Sequence, residues 1–281
     1  MKDLAYYCGK ITPIDEMLVS ANDRGFCFGD GIYEAAMVRN YEIFALEEHL
    51  RRFYQSAELI RIEVPFTKKE LTDLLYELVN RLDEAEQFLY WQLTRGTASR
   101  NHVFPSADVK PNLYCSIKPM KRKDFSKEYK LFTKKDTRFY HCNIKTLNLL
   151  PNVMAAQESL EKGCDECVFV RDGIVTECAH ANISMLKDGI FLTHPTDELI
   201  LPGVERRHLL RYCRQLHIPA EEREFTVEKL MQADEIIVSS TSGACMRAVE
   251  LDGKPVGKRD SQHLSMLREA YRKEYEQQNK K

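Results

Sequence analysis

No apolar run in this sequence is long enough to cross a bilayer, and the opening stretch Met1-Lys2-Asp3-Leu4-Ala5-Tyr6-Tyr7 lacks the apolar core of a secretory signal. A membrane protein is therefore not expected, and a cytoplasmic location is. Charge of one sign is not in excess either: 41 Lys and Arg stand against 43 Asp and Glu, interspersed, for a net charge of −2. That removes the electrostatic footprint needed for nucleic acid or an anionic membrane surface. Internal repeats, low-complexity segments and glycine-rich linkers are missing, which sets aside repeat arrays and tethered modules. The nine cysteines are an odd number, scattered along the chain, and are expected to be reduced and partly buried. One pair, Cys164-Asp165-Glu166-Cys167, has CxxC spacing, but no second pair exists to complete a zinc site. It follows Glu161-Lys162-Gly163, which reads as a glycine-capped helix C-terminus. A redox thiol would instead need a helix N-terminus to lower its pKa. No metal is expected.

What is present is a chain of 281 residues, enough for one large or two modest domains with a core that needs no staples. Asp23-Arg24-Gly25 and Gly29-Asp30-Gly31 bracket an aromatic stretch and read as a sharply turning buried segment. Residues 34–44 read as a strand hairpin around Arg39-Asn40. Leu46, Leu50, Phe53, Ala57 and Ile60 recur at helical spacing. Thr67-Lys68-Lys69-Glu70 is a capping box opening a helix with Leu71, Leu74, Leu75, Leu78, Val79 and Leu82 on one stripe. Residues 88–95 alternate like a strand and 113–117 read as its neighbour, with a polar loop from Gly96 to Pro105 between them. Residues 119–130 are charged, without strong pattern, and form the candidate domain linker. In the second half, 152–161 reads as a helix, and 166–175 and 183–193 as hairpins turning at Asp172-Gly173 and Asp188-Gly189. Pro202-Gly203 precedes a helix with Leu209, Leu210, Cys213 and Leu216. Residues 235–238 form a short buried strand running into Ser239-Ser240-Thr241-Ser242-Gly243, and 261–276 an amphipathic helix with Leu264, Leu267, Tyr271 and Tyr275 on one stripe. Helices and strands mix in both halves. The expected fold is α+β or α/β in two domains: a smaller one over 1–120 and a larger one over 121–281.

Lys145 stands out within Cys142-Asn143-Ile144-Lys145-Thr146-Leu147-Asn148-Leu149-Leu150, a stretch too apolar for an ordinary surface lysine. Such an amine needs a partner or a lowered pKa, and both conditions suit an amine that forms a Schiff base with a carbonyl compound. A snorkelling lysine at a strand end is the plainer reading of the same residues. Farther on, Thr176-Glu177-Cys178-Ala179-His180-Ala181-Asn182 places a polar cluster at the end of a strand-like run.

Six stretches follow one another in order: Asp23-Arg24-Gly25-Phe26-Cys27-Phe28-Gly29-Asp30-Gly31-Ile32-Tyr33-Glu34, Glu48-His49-Leu50-Arg51-Arg52, Thr94-Arg95-Gly96-Thr97 through His102, Ile144-Lys145-Thr146-Leu147-Asn148, Thr176-Glu177 through Asn182, and Ser239-Ser240-Thr241-Ser242. Together they resemble the fold-type IV pyridoxal-phosphate enzymes. Within that group, which also holds branched-chain aminotransferases and aminodeoxychorismate lyases, the pattern is most similar to the D-amino acid aminotransferases. The resemblance implies pyridoxal 5′-phosphate as cofactor and small amino acids and 2-oxo acids as substrates. It implies conversion of D-alanine and 2-oxoglutarate to pyruvate and D-glutamate, and a homodimer with a shared active site. It makes Lys145, which lies in the expected C-terminal domain, the Schiff-base lysine and general base. Glu177 becomes the acid facing the pyridine nitrogen. Arg52, the main chain at Val204 and Glu205, Ser240 and Thr241 become the phosphate ligands. Tyr33, Arg100 and His102 become the clamp on the substrate carboxylate, the last two reaching over from the other subunit.

The chain departs from the D-amino acid aminotransferase pattern at two places. Glu205 stands where a hydroxyl residue is expected, and Cys178-Ala179-His180-Ala181 where a glycine and serines are expected. The latter segment is closer to the lyases. An aminodeoxychorismate lyase and a branched-chain aminotransferase are therefore rivals on the same fold. A non-catalytic cofactor-binding or redox protein built around Cys164 and Cys167 is the rival of another class.

Overall fold

Apolar–polar alternation in the first third of the chain builds a sheet whose two faces differ. In the computed structural model, which describes residues 3–277, this sheet belongs to one of two compact units. The first holds the chain up to Arg122 together with Ile144–Asn148; the second holds Lys123–Asn143 and the chain from Leu149 on. Met1 and Lys2 of the opening stretch, and positions 278–281 at the end of the expected second domain, lie outside the described residues.

The first unit runs β1 (Leu4–Tyr7), β2 (Lys10–Pro13), α1 (Arg24–Phe28), β3 (Gly31–Arg39), β4 (Glu42–Ile43), α2 (Leu46–Leu59), α3 (Lys68–Arg81), β5 (Glu86–Thr94) and β6 (Asn112–Pro119). Its strands form a six-stranded sheet in the order β2-β1-β6-β5-β3-β4. β3 and β5 are antiparallel, in register from Gly31 opposite Thr94 to Arg39 opposite Glu86. Along β5, Gln87, Leu89, Trp91 and Leu93 are buried while Phe88, Tyr90 and Gln92 are only half-buried, the period-two signature of a sheet with one dry face. The amphipathic helices α2 and α3 cover that face: Leu50, Phe53, Leu71, Leu75 and Leu78 pack with Leu89 and Trp91 in one core. The capping box at Thr67 is fully formed, with Thr67 Oγ1 accepting from Glu70 N–H and the Glu70 carboxylate accepting from Thr67 N–H.

Two details of this unit differ from expectation. The segment 23–31 is a five-residue helix, α1, rather than a buried bend. Asp23 caps its start, Gly29 ends it at φ 65°, and Phe26 is 80% exposed. Lys145, expected in the C-terminal domain, lies with the first unit. The reason is backbone pairing: Tyr33 N–H donates to Lys145 O (2.9 Å), and Leu147 N–H donates to Gly31 O (3.1 Å). Together these lay residues 145–147 along the free edge of β3.

The second unit contains β7 (Tyr129–Lys135), α4 (Leu150–Glu161), β8 (Glu166–Arg171), β9 (Ile174–Cys178), β10 (Asn182–Lys187), β11 (Ile190–Thr193), α5 (Val204–Gln215), β12 (Ala220–Glu222), α6 (Val227–Met231), β13 (Glu235–Ser240), β14 (Gly243–Leu251), β15 (Lys254–Pro255) and α7 (Ser261–Gln277). Eight strands run in the order β12-β11-β10-β13-β14-β7-β8-β9, and β15 adds to β14. The hairpins β8–β9 and β10–β11 turn where expected. Asp172 and Gly173 have φ of 51° and 83°, and Asp188 and Gly189 of 52° and 75°. Two successive positive φ values make the tight turn that matches strand twist, which aspartate and glycine tolerate best. Leu264, Leu267, Tyr271 and Tyr275 of α7 are buried as the spacing predicts. On α4 the apolar side chains Leu150, Val153, Met154 and Leu160 are instead 61–74% exposed. β7 was not foreseen; it begins inside the stretch read as linker.

Candidate active site

The main chain of Lys145 is fixed on both sides. Its carbonyl accepts from Tyr33 on β3, and its N–H donates to Ser56 Oγ on α2 (3.2 Å). Cross-strand pairing puts opposed side chains on one face, and Lys145 Nζ stands 4.1 Å from the centroid of the Tyr33 ring. A cation over an aromatic face gains about 0.5–2 kcal/mol. The partner that the apolar setting of Lys145 requires is thus the Tyr33 ring, itself stacked on Tyr90 (5.5 Å, 25°).

Arg52 lies one helical turn before Ser56 on α2. It is buried, and its Nε and Nη2 fork onto the Glu34 carboxylate at 2.6 and 2.9 Å. His49 Nδ1 approaches Glu34 Oε2 at 2.8 Å. Despite complete burial, the Glu34 carboxyl is held well below the usual range by Arg52 and His49. Burial pushes the His49 imidazole down. Glu34 and Arg52 therefore form a charged pair inside the first unit, so the guanidinium is pinned rather than free on a helix surface.

Arg100 and His102 are exposed on the loop between β5 and β6. Both lie against Phe28 at the end of α1. The Arg100 guanidinium is 5.0 Å from the ring centroid and the His102 ring 5.3 Å from it. They come together with each other and with α1.

In the second unit Glu177 is the centre of a dense polar cluster. It sits near the end of β9, 6% exposed. Oε1 accepts from Arg138 Nη1 (2.5 Å), and Oε2 accepts from Asn182 Nδ2 (2.9 Å) and Leu201 N–H (3.1 Å). Arg138 is in turn gripped by Asp136 at Nε and Nη2 and donates to Leu199 O. Burial pushes the Glu177 carboxyl up, to about 7, against the pull of Arg138 and of the Leu201 hydrogen bond.

The same cluster reaches the start of α5. Asn182 also donates to Leu201 O (2.9 Å), and a Cβ on Gly203 would stand 2.0 Å from Asn182 Oδ1. Gly203 is the N-cap of α5, and no side chain caps that end. The first amides of α5, among them those of the buried Val204 and Glu205, lack intrahelical acceptors and are suited to an anion. Ser240 ends β13 and Thr241 begins the turn to β14, both half-buried, while Ser239 Oγ is buried with no protein partner. Within the second unit, an acid with an elevated pKa, an uncapped helix start and hydroxyls on a turn are a donor set that fits a phosphorylated pyridine.

Residues 178–181, where a glycine and serines were expected, are met by a buried carboxylate. Glu166, 1% exposed, accepts from Cys167 N–H (3.0 Å) and Ala179 N–H (3.1 Å) through Oε1, and its Oε2 meets His180 Nδ1 at 2.8 Å. The turn is thus held by a buried carboxylate on β8. Cys164 and Cys167 are both free thiols. Burial raises both pKa values, Cys167 to about 12, so neither is an activated thiolate. Among the described residues, no group of three or more His, Cys, Asp and Glu is placed to hold a metal ion.

Sequence reading missed Arg138, Asp136 and the Glu34–His49 pair, and named Asn182 only as the end of a polar cluster. Asp136-x-Arg138 was the available signal: two charges at same-face spacing, just beyond the apolar run that became β7. Nothing short of the fold showed that they face Glu177.

A family model described as amino-transferase class IV matches residues 31–251. The D-alanine aminotransferase of Staphylococcus epidermidis is 38% identical over 250 residues, 88% of this chain and 89% of that protein. That of Staphylococcus haemolyticus is 39% identical over 251 residues, 89% of each. That of Bacillus licheniformis is 36% identical over 251 residues, 89% of this chain and 88% of that one. Among solved structures, the branched-chain aminotransferase of Thermoproteus uzoniensis with norvaline superposes with a TM-score of 0.87 at 21% identity, covering 96% of this chain and 93% of that one. The Escherichia coli branched-chain aminotransferase gives 0.86 at 19%, covering 96% and 93%. At these identities the structures report the fold.

Proposed function

Since the chain belongs to the class IV aminotransferases, we propose that it transfers the amino group of D-amino acids, D-alanine first, to 2-oxoglutarate, giving pyruvate and D-glutamate. Enzymes of this class use pyridoxal 5′-phosphate, which when bound supplies the aldehyde that accepts the amino group and a ring that withdraws electrons from the substrate Cα. The observation that carries the reading is the Lys145 amine held over Tyr33. It is a half-buried lysine with a fixed main chain, and in this reading it anchors the cofactor and then moves the proton at the substrate Cα.

Glu177 holds a proton at the pyridine nitrogen, with Arg138, Asn182 and Leu201 fixing its direction. The amides at Val204 and Glu205, the hydroxyls of Ser240 and Thr241, and Arg52 hold the phosphate. Arg100, His102 and Tyr33 hold the substrate carboxylate through a guanidinium fork, an imidazole and a phenol. The exposed Leu150, Val153, Met154 and Leu160 of α4, with Phe26 and Val103, support a homodimer in which Arg100 and His102 serve the partner's substrate. The likeness to D-alanine aminotransferases, at 36–39% identity over most of both chains, supports D-amino acids over branched-chain L-amino acids.

Substituting Lys145→Ala is expected to abolish the visible absorbance of the lysine-linked cofactor and all transamination. Persistence of that band, or borohydride labelling of a different lysine, overturns the assignment. In single-turnover mixing, D-alanine should bleach the band and L-alanine should not. The reverse result sinks the stereochemical claim.

A further inference from the structure

The Asp23-Arg24-Gly25 motif is absorbed by none of the roles above, and Arg24 is 4% exposed, too buried to be a ligand for substrate. Its guanidinium nonetheless has a defined task. Nε donates to Asp30 Oδ2 (2.8 Å), while Nη1 donates to Asn101 O (2.6 Å) and, more weakly, to Val103 O (3.4 Å). Those two carbonyls flank His102. Farther along the same loop, the Arg95 guanidinium lies 3.7 Å from the centroid of the Phe104 ring and is also bonded to Asp30 through Nε and Nη2. One carboxylate, Asp30, thus sets two arginines that grip the loop on either side of position 102. The main chain of Arg24 completes the hold, its N–H donating to Gly96 O (2.9 Å) at the loop's start. The Phe28 ring, 4.9 Å from the Arg24 guanidinium, is the surface on which the Arg100 and His102 side chains rest.

We propose that Arg24, set by Asp30, is a positioning residue for substrate recognition: it fixes the backbone on both sides of His102 so that Arg100 and His102 present a preformed cage to the α-carboxylate of the amino acid. This rests on the reading of Arg100 and His102 as the carboxylate clamp. The physical reason is specific to arginine. A loop rich in polar residues and exposed to water loses conformational entropy when it is ordered. A planar fork can meet the Asp30 carboxylate from Nε and the two carbonyls from Nη1 at once, whereas a lysine ammonium offers all its donors from a single atom. Pre-ordering the loop lowers the cost of binding without touching the reacting atoms.

The test uses holoenzyme of the wild type, Arg24→Gln, Arg24→Lys, Asp30→Asn, Arg100→Gln and the Arg24→Gln/Arg100→Gln double variant. Steady-state kinetics on D-alanine is measured together with cofactor absorbance and the dissociation constant of pyridoxal 5′-phosphate. The expected result is a KM for D-alanine raised about tenfold in Arg24→Gln and Arg24→Lys, with kcat within about twofold and cofactor affinity unchanged. The double variant should lose less than the product of the two single losses, because part of what Arg24 holds in place is Arg100 while His102 stays in the cage. Should Arg24→Gln fail to fold, Asp30→Asn, which keeps the shape and loosens the arginine, should show the same KM-selective loss. A KM unchanged in folded Arg24 and Asp30 variants, while Arg100→Gln raises it, overturns the proposal and leaves the clamp standing. An unchanged KM in Arg100→Gln itself overturns the clamp and the proposal with it. Loss of cofactor affinity and kcat at constant KM would mark Arg24 as merely structural and also overturn it.

Discussion

Glu177 illustrates how one carboxyl can be both buried and chemically poised. Its folded pKa is raised, to about 7, because burial outweighs Arg138. The unfolded chain therefore loses its proton first as pH rises. Stability associated with Glu177 is fully present below the unfolded value of about 4.3, falls as pH rises through the window to about 7, and is flat above it. Summed over that window, the loss is about 3–4 kcal/mol at most. Cofactor-stripped wild type should thus show a melting temperature that declines across this window more steeply than Glu177→Gln, whose amide does not titrate. Parallel curves would mean that Glu177 keeps an ordinary pKa. A similar contrast separates the residues that could be read in advance from those that could not. Lys145 and Glu177 were marked by an amine in an apolar run and an acid at a strand end. Arg138 was invisible, because what makes it matter is a hydrogen bond to a residue far away in the chain.

Among the elements, those fixed by local chemistry were legible. The capping box, the aspartate–glycine turns and the stripes of α2, α3 and α7 depend on neighbours within a few residues, and each formed where its pattern lay. β7 and β14 were not recognised, since a central strand is selected by its partners on both sides rather than by its own alternation. The bounds of α4 were read two residues short, and its exposed apolar face contradicts the rule that leucine and valine point inward. The start of α5 is the most constrained of these junctions. Gly203→Ala would drive a methyl into Asn182 Oδ1, and so into the group that orients Glu177. The expected cost is about 1–3 kcal/mol of stability, as for other overpacked sites, with weakened retention of pyridoxal 5′-phosphate on gel filtration. Wild-type retention and melting in Gly203→Ala would show that the contact relaxes freely.

For the whole chain, the two-part organisation could be sensed in the sequence but the path between the parts could not. The backbone leaves the first unit after Arg122, returns for Ile144–Asn148, and leaves again. Cutting the chain after Arg122 would remove the residues paired with Gly31 and Tyr33 and expose the edge of β3. Such a fragment is expected to aggregate or to exchange its β3 amides far faster than the intact protein does. A soluble fragment with a protected Tyr33 amide would show that the returning segment is dispensable. The same return path bears on the order of events during synthesis. A ribosome delivers residues 1–122 early, yet the strip that carries Lys145 emerges only after β7, the first strand of the second unit, has been made. The nascent chain must therefore keep one margin of β3 unoccupied while more than twenty further residues are added. During that interval the newborn protein is open to mispairing with its neighbours, and it closes that gap with the strip that carries Lys145.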